Sequence, residues 1–324
     1  MTQTAVTRPA YRPYATRVRA VAELSPHFVR VTLEGEALRD FGTGGLDQRI
    51  KILVPFEDGS TADIGAEDER SLASGQWYAR WRALPDRARN PLRSYTVRAV
   101  RPETGQIDVD VVRHEALPGT SLGPAARWIR RAAAGDRLVV VGPDERSPDS
   151  RSGIDWQPGG ARRVLLAADE TAVPAACAIL ESLPPEVRAC AMLEVPCAAD
   201  ILPIVSRAQL RVDWFPRDRG DAHLRPGSLL PGALRAWTAR TPDAWRRATA
   251  RTVQEPAEID IDAERIWEAP AADGPAARRP FYAWLAGEQA AIRRMRRHLV
   301  GELGLERRLV AFMGYWRYGV ADLQ

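Results

Sequence analysis

The chain has 324 residues, 45% hydrophobic and 27% charged, an ordinary globular composition with length for about two domains of ~150 residues each. No apolar run approaches the ~20 residues of a spanning helix, so collagenous, disordered and membrane-embedded architectures are excluded. Basic and acidic residues number 46 and 42, for a net charge of +4. The basic set holds one lysine, Lys51, and 45 arginines. Because the two signs are interspersed, the excess predicts a local site for an anionic ligand rather than a nucleic-acid tail. The first residues, MTQTAVTRPAYRP, lack a secretory signal's apolar core, which predicts a cytoplasmic protein with no integral membrane association. Cys177, Cys190 and Cys197 lack CxxC spacing and are expected to be reduced, Cys177 and Cys190 as small buried side chains.

After a flexible stretch at 1–13, residues 14–143 offer six alternating, valine-rich runs: YATRVRAVAEL, HFVRVTLEG, RIKILVPF, RSYTVRAV, QIDVDVVRH and DRLVVVGP. They predict an antiparallel β-barrel or sandwich. One segment breaks the period, GPAARWIRRAAAGD, with Pro124 at a first helical position and Gly135 at the stop. A single short helix is therefore expected in this domain. Residues 144–162 are rich in Pro, Gly, Ser and charge and read as a linker.

From 163 to 324 the pattern changes. RVLLAA, VRACAMLEV, RVDWFPR and PFYAWLAG read as buried strands, TAVPAACAILESL and EQAAIRRMRRHLVGEL as helices. Strand and helix in alternation predict a doubly wound α/β domain, with an excursion at about 237–280. In the last helix Ile292, Met295, Leu299 and Leu303 share a face, which places Arg293, Arg294, Arg296 and Arg297 on the solvated side.

Four stretches could carry chemistry. On the RSYTVRAV strand, alternation sets Arg93 and Tyr95 on one face and Ser94 and Thr96 on the other, so an aromatic ring and a forked cation share a side. His114 closes the next strand, and Gly123, Pro124 and Ala125 open the helix carrying Arg127, where free N–H groups make an anion site. Asp169–Pro174 forms a strand-to-helix turn, the place for nucleotides in open α/β sheets. There is no G-x-G-x-x-G, and the Gly42–Gly45 cluster reads as a loop. Gly314–Gly319, GYWRYG, adds three aromatics and a cation after a strand. The four histidines have no metal-ligand spacing, so no metal site is expected.

In this order RSYTVR, His114 with GPAARW, DETAVPA, WLAGE and GYWRYG, together with DQRIKILVP, resemble the siderophore-interacting proteins, flavin-containing ferric-siderophore reductases of the ferredoxin-reductase type. The resemblance implies an FAD-binding β-barrel followed by a nicotinamide-binding-type α/β domain. It implies that Arg93, Ser94, Tyr95, Thr96, His114, Gly123, Pro124, Ala125 and Arg127 hold FAD, with Thr171 and Ala172 near the flavin and the incoming reductant. Lys51, Arg317 and Arg127 would line a basic pocket for a ferric siderophore or another anionic small molecule. The expected donor is NADH or NADPH, with ferredoxin as the alternative. The sequence departs from the family at Ala168, where a glycine is usual, in the length between His114 and Gly123, and in the excursion. These leave two other readings: a flavin oxidoreductase acting on an organic substrate, and a siderophore-binding protein without redox activity.

Overall fold

The computed structural model describes residues 8–114, 121–219, 222–250, 265–270 and 279–320. It parts into two compact units between Ile154 and Asp155.

The first unit runs β1 (Tyr11–Glu23), β2 (Phe28–Glu34), β3 (Arg49–Leu53), α1 (Glu69–Ser74), α2 (Trp77–Ala83), β4 (Leu92–Thr96), β5 (Ala99–Arg101), β6 (Gln106–Val112), α3 (Pro124–Arg131) and β7 (Arg137–Pro143). Its seven strands form one antiparallel sheet in the order β4-β3-β7-β1-β2-β6-β5. The expected strand RSYTVRAV is thus two strands at opposite edges, although only Val97 and Arg98 separate them. Two edges so near in sequence require the sheet to curl on itself, as a half-barrel whose edge strands β4 and β5 are not paired with each other. Val29, Val31 and Leu33 of β2 and Ile107, Val109 and Val111 of β6 alternate into its core, each contributing roughly 1.5–3 kcal/mol of burial.

The expectation of a single helix is corrected: α1 and α2 lie between β3 and β4. Their signals are local. The Asp68 carboxylate accepts the Arg70 N–H at 3.1 Å, Gly75 stops α1 at φ 67°, and the buried Trp81 indole donates to the Asn90 carbonyl at 2.9 Å. Residues 144–154, expected as linker, pack on this unit: Asp144 is buried between Arg12 and Arg146, and the Tyr11 hydroxyl donates to the Ser152 carbonyl.

The second unit contains β8 (Arg163–Ala168), α4 (Val173–Ser182), β9 (Arg188–Val195), β10 (Gln209–Pro216), the two-residue strands β11 (Asp218–Arg219) and β12 (Ala222–His223), α5 (Leu230–Arg240), α6 (Pro242–Trp245), β13 (Trp267–Glu268), β14 (Tyr282–Glu288), α7 (Gln289–Arg296) and β15 (Val310–Trp316). The main sheet has the order β10-β9-β8-β14-β15-β13, parallel except for β13 on β15. From β8 the chain steps outward through α4 to β9 and β10, then returns through α5 to β14 and on through α7 to β15. Right-handed crossovers in opposite directions put helices on opposite faces, and the direction reverses between β8 and β14. At this switch point a doubly wound sheet opens a crevice beyond its carboxyl ends.

One face packs Leu165, Ala167, Met192, Ala283, Leu285 and Phe312 against α5, α7 and the π-helical turn Arg297–Glu302 that continues α7. Trp237 and Trp245, placed in the expected excursion, belong to this core, and Trp267 in β13 stacks on Tyr315 at 5.6 Å. Residues 251–264 and 271–278 of the excursion lie outside the described residues. Ile292, Met295 and Leu299 are buried as expected, but Arg296 is not solvated: it is 5% exposed and donates to Glu268 at 2.8 Å, because β13 brings a carboxylate to that side of α7. Cys177 is buried and Cys190 half-buried. Among the described residues, no helix is long and apolar enough to cross a membrane.

Candidate functional site

In the first unit the β3–β4 ladder decides which side chains meet. Ile50 pairs with Tyr95, Lys51 with Ser94 and Ile52 with Arg93, and cross-strand partners share a face. Arg93 and Tyr95 therefore lie on the face of Ile50 and Ile52, where Tyr95 packs against the barrel core. Burial pushes its phenol up to about 12, with the Arg93 charge pulling the other way. Lys51 stands on the opposite face and donates to the exposed Ser94 hydroxyl at 2.8 Å. Thr96 ends β4 at 8% exposure.

β6 ends at Val112, so His114 follows the strand rather than closing it. It is exposed, and its carbonyl accepts from Arg130 at 3.4 Å. Residues 115–120 lie outside the described residues. α3 opens at Gly123, with Pro124 at its first position and no side chain capping its N–H groups. No acidic residue occupies its first turn, and a Cβ at Gly123 would meet nothing within 4 Å. Ala125 packs on the same core cluster as Tyr95. Arg127 turns back on its own loop, donating to the Leu122 carbonyl and lying 3.7 Å from Glu57.

In the second unit the switch point is lined with buried charge. Asp169, just beyond β8, is 0% exposed, and its carboxylate accepts four hydrogen bonds. Oδ1 takes the Thr171 N–H at 3.0 Å and the Thr171 hydroxyl at 2.6 Å. Oδ2 takes the Glu288 N–H at 2.6 Å and the Trp316 indole N–H at 2.9 Å. The Ala172 and Val173 N–H groups go to the Asp169 carbonyl. Burial, reinforced by the neighbouring Glu170 charge, pushes the Asp169 carboxyl up to about 7 against its bonds to Thr171 and Trp316.

Arg217 after β10 grips both Glu170 oxygens, at 2.6 and 2.8 Å, and reaches Glu194 of β9 at 3.1 Å. Glu194 also accepts the Gly227 and Leu229 N–H groups ahead of α5, at 2.6 and 2.9 Å, so a side chain from the sheet holds the turn that leads into that helix. Glu288 caps α7 through the Ala291 N–H at 2.9 Å. Burial raises the carboxyls of Glu170 and Glu194, with Arg217 opposing it at both, beside backbone donors.

Of the predicted residues here, Thr171 and the half-buried Arg317 sit at this edge, while Ala172 is wholly buried. Arg317 follows Trp316, and Tyr318 next to it lies under the Arg225 guanidinium at 5.2 Å. Sequence reasoning placed Asp169, Glu170, Glu288 and Trp316 in its motif stretches without giving them a role, and did not single out Glu194 or Arg217. The signal was present for two of them: an Asp-Glu pair that ends a wholly apolar strand must bury charge and needs a cation. Nothing local identifies Arg217 among 45 arginines.

Residues 17–147 match the family described as siderophore-interacting FAD-binding domain, and residues 161–319 the family described as siderophore-interacting protein. An uncharacterized protein of Mycobacterium tuberculosis is 32% identical over 239 residues, 73% of this chain and 76% of the relative. The ferric vibriobactin reductase ViuB of Vibrio cholerae is 29% identical over 200 residues, 61% of this chain and 65% of that protein. Among solved structures, a siderophore utilization protein from T. fusca is 26% identical, with a TM-score of 0.66 over 98% of this chain and 97% of that one. With nearly its whole length matched by the two domains in order, the chain belongs to the siderophore-interacting protein family.

Proposed function

We propose that this protein is an FAD-dependent reductase that passes electrons from a donor to Fe(III) in a ferric siderophore and releases Fe(II). The observation that carries the reading is the open start of α3. Among the described residues, its N-cap is a glycine that offers no side-chain cap and has free space around it, and Arg93 and Tyr95 lie in the same unit. This arrangement fits a flavin dinucleotide: an uncapped helix start favours pyrophosphate, an aromatic face favours the ring system, and a guanidinium favours phosphate.

In this reading Gly123, Pro124, Ala125 and Arg127, with His114, hold the pyrophosphate, while Arg93, Ser94, Tyr95 and Thr96 hold the flavin end. Thr171 and Ala172 stand toward the reductant. Bound FAD supplies the change from two-electron uptake to one-electron release. The chain's own residues bind and orient. Lys51, a half-buried lysine on the face opposite Arg93 with its ammonium at the exposed Ser94 hydroxyl, and Arg317 attract an anionic chelate. The similarity to a protein named ferric vibriobactin reductase supports the substrate class. NADH, NADPH and ferredoxin are the donors to be compared.

The test is an absorption spectrum of the purified protein, then anaerobic photoreduction and mixing with a ferric siderophore. Flavin bands that bleach and return on mixing are expected. A colourless protein that stays colourless after FAD addition, or a reduced flavin that does not reoxidise, refutes the proposal.

A further inference from the structure

We propose that Asp169 is a positioning residue: as the anion, it holds Trp316 and the start of α7 so that Arg317 is presented to an anionic substrate at the carboxyl edge of the second sheet. This deepens the reductase reading and rests on it for the substrate alone.

Three observations carry it. One buried carboxylate ties three strand ends at the switch point, through its own position after β8, the Glu288 N–H at the end of β14, and the Trp316 indole at the end of β15. The carboxylate fills space that β14 leaves open: Gly287 has φ 147°, and a Cβ there would lie 2.6 Å from the Asp169 Cγ. All four partners of the two oxygens are donors, so only the anion satisfies them together. Arg317 follows Trp316 directly in the chain, so the hold on the indole fixes one end of the backbone from which Arg317 projects.

The groups facing Asp169 are Glu170 beside it in the turn, Glu194 on β9, and Glu288 at the head of α7; the cation among them is Arg217. The surplus of negative charge, added to burial, opposes ionisation. The carboxyl, pushed up to about 7, is anionic above that pH and protonated below it. The full set of four accepted bonds is therefore favoured above that pH and weakened below it.

The experiment uses full-length protein labelled with 5-fluorotryptophan, with Trp316→Phe assigning the Trp316 fluorine resonance. In the unmodified protein that resonance titrates with a midpoint near 7. In Asp169→Asn, the same size but unable to accept from all four donors, the titration disappears. Thr171→Val, which removes one donor to the anion, moves the midpoint up and gives a readout should Asp169→Asn fail to fold. Ferric citrate reduction supplies the functional arm. Asp169→Asn and Trp316→Phe each raise KM about tenfold, the size of one charge-assisted hydrogen bond, with flavin content unchanged, and the double variant is no worse than either single one. A Trp316 resonance that stays put from pH 6 to 8, one that titrates alike in Asp169→Asn, or additive KM effects would overturn the proposal. A protein that reduces no ferric chelate yet shows the titration counts against the reductase reading while supporting the Asp169 hold.

Discussion

Replacing Arg217 with Met tests the buried charge network most directly. Arg217 is the cation shared by Glu170 and Glu194, with side-chain exposures of 10% for the guanidinium and 2% and 0% for the two carboxylates. Methionine keeps the apolar stem and removes three hydrogen bonds. Two carboxylates then remain buried without their cation, a situation that costs about 3–5 kcal/mol. For a unit of this size, 1 kcal/mol moves the midpoint by about 2–4 °C, so the second unit should melt about 10 °C lower at pH 8.

The pH dependence has a definite sign. Burial already raises both carboxyls in the folded protein, and losing Arg217 raises them further. A carboxyl raised on folding stabilises the fold at low pH and loses that contribution as pH rises through its folded value. The deficit of Arg217→Met should thus shrink from pH 8 to pH 6, and Glu170→Gln in the same chain should restore part of it. Calorimetry of the variants at the two pH values measures this. A loss below about 1 kcal/mol, or a deficit independent of pH, would mean that water reaches these carboxylates and that the network is not load-sharing in the way described.

Other consequences follow from single residues. Lys51→Ala should leave flavin content intact and raise KM for an anionic ferric chelate severalfold, because the half-buried Lys51 sets its ammonium beside the exposed Ser94 hydroxyl; equal kinetics would remove Lys51 from the substrate face. Gly123→Asp adds a side-chain cap to α3, which strengthens the helix by only a few tenths of a kcal/mol, yet sets a carboxylate where the pyrophosphate would bind. FAD affinity, measured by fluorescence titration of the apoprotein, should fall at least tenfold by order of magnitude while the apoprotein melts no lower. Gly287→Ala strains a φ of 147° and drives a methyl into the Asp169 carboxylate; a loss of about 3 kcal/mol or more is expected, read as a lower midpoint in urea.

Much of the architecture was written locally. In the β2 run apolar residues alternate with polar ones, the pattern of a strand with one face in the core, and RVLLAA, apolar after Arg163, has the pattern of a strand covered on both faces. The Gly123-Pro124 helix start was legible because capping preferences act within a few residues. RSYTVRAV shows where this stops. Its composition is uniformly strand-like, and the break at Val97-Arg98 arises because closing the barrel sends the chain from one sheet edge to the other. The α1 and α2 helices carried their own signals, Asp68 and Gly75, which the strand-rich surroundings masked. Arg296 looked solvated on its helical wheel because Glu268, its partner, is 28 residues away in sequence.

By itself, then, the sequence determined most of the strands and helices, the division into a β part and an α/β part, and the set of motifs that mark the family. These follow from periodicity and turn chemistry, which operate over a handful of residues. The tertiary structure decided which side chains share a face or a charge. It set Lys51 against Ser94 and away from Arg93, closed the DETA turn with Asp169's own carboxylate, and chose Arg217 out of 45 arginines as counter-ion to Glu170 and Glu194. Those pairings join residues up to 47 positions apart. Their energies come from burial that exists only once the sheet has assembled.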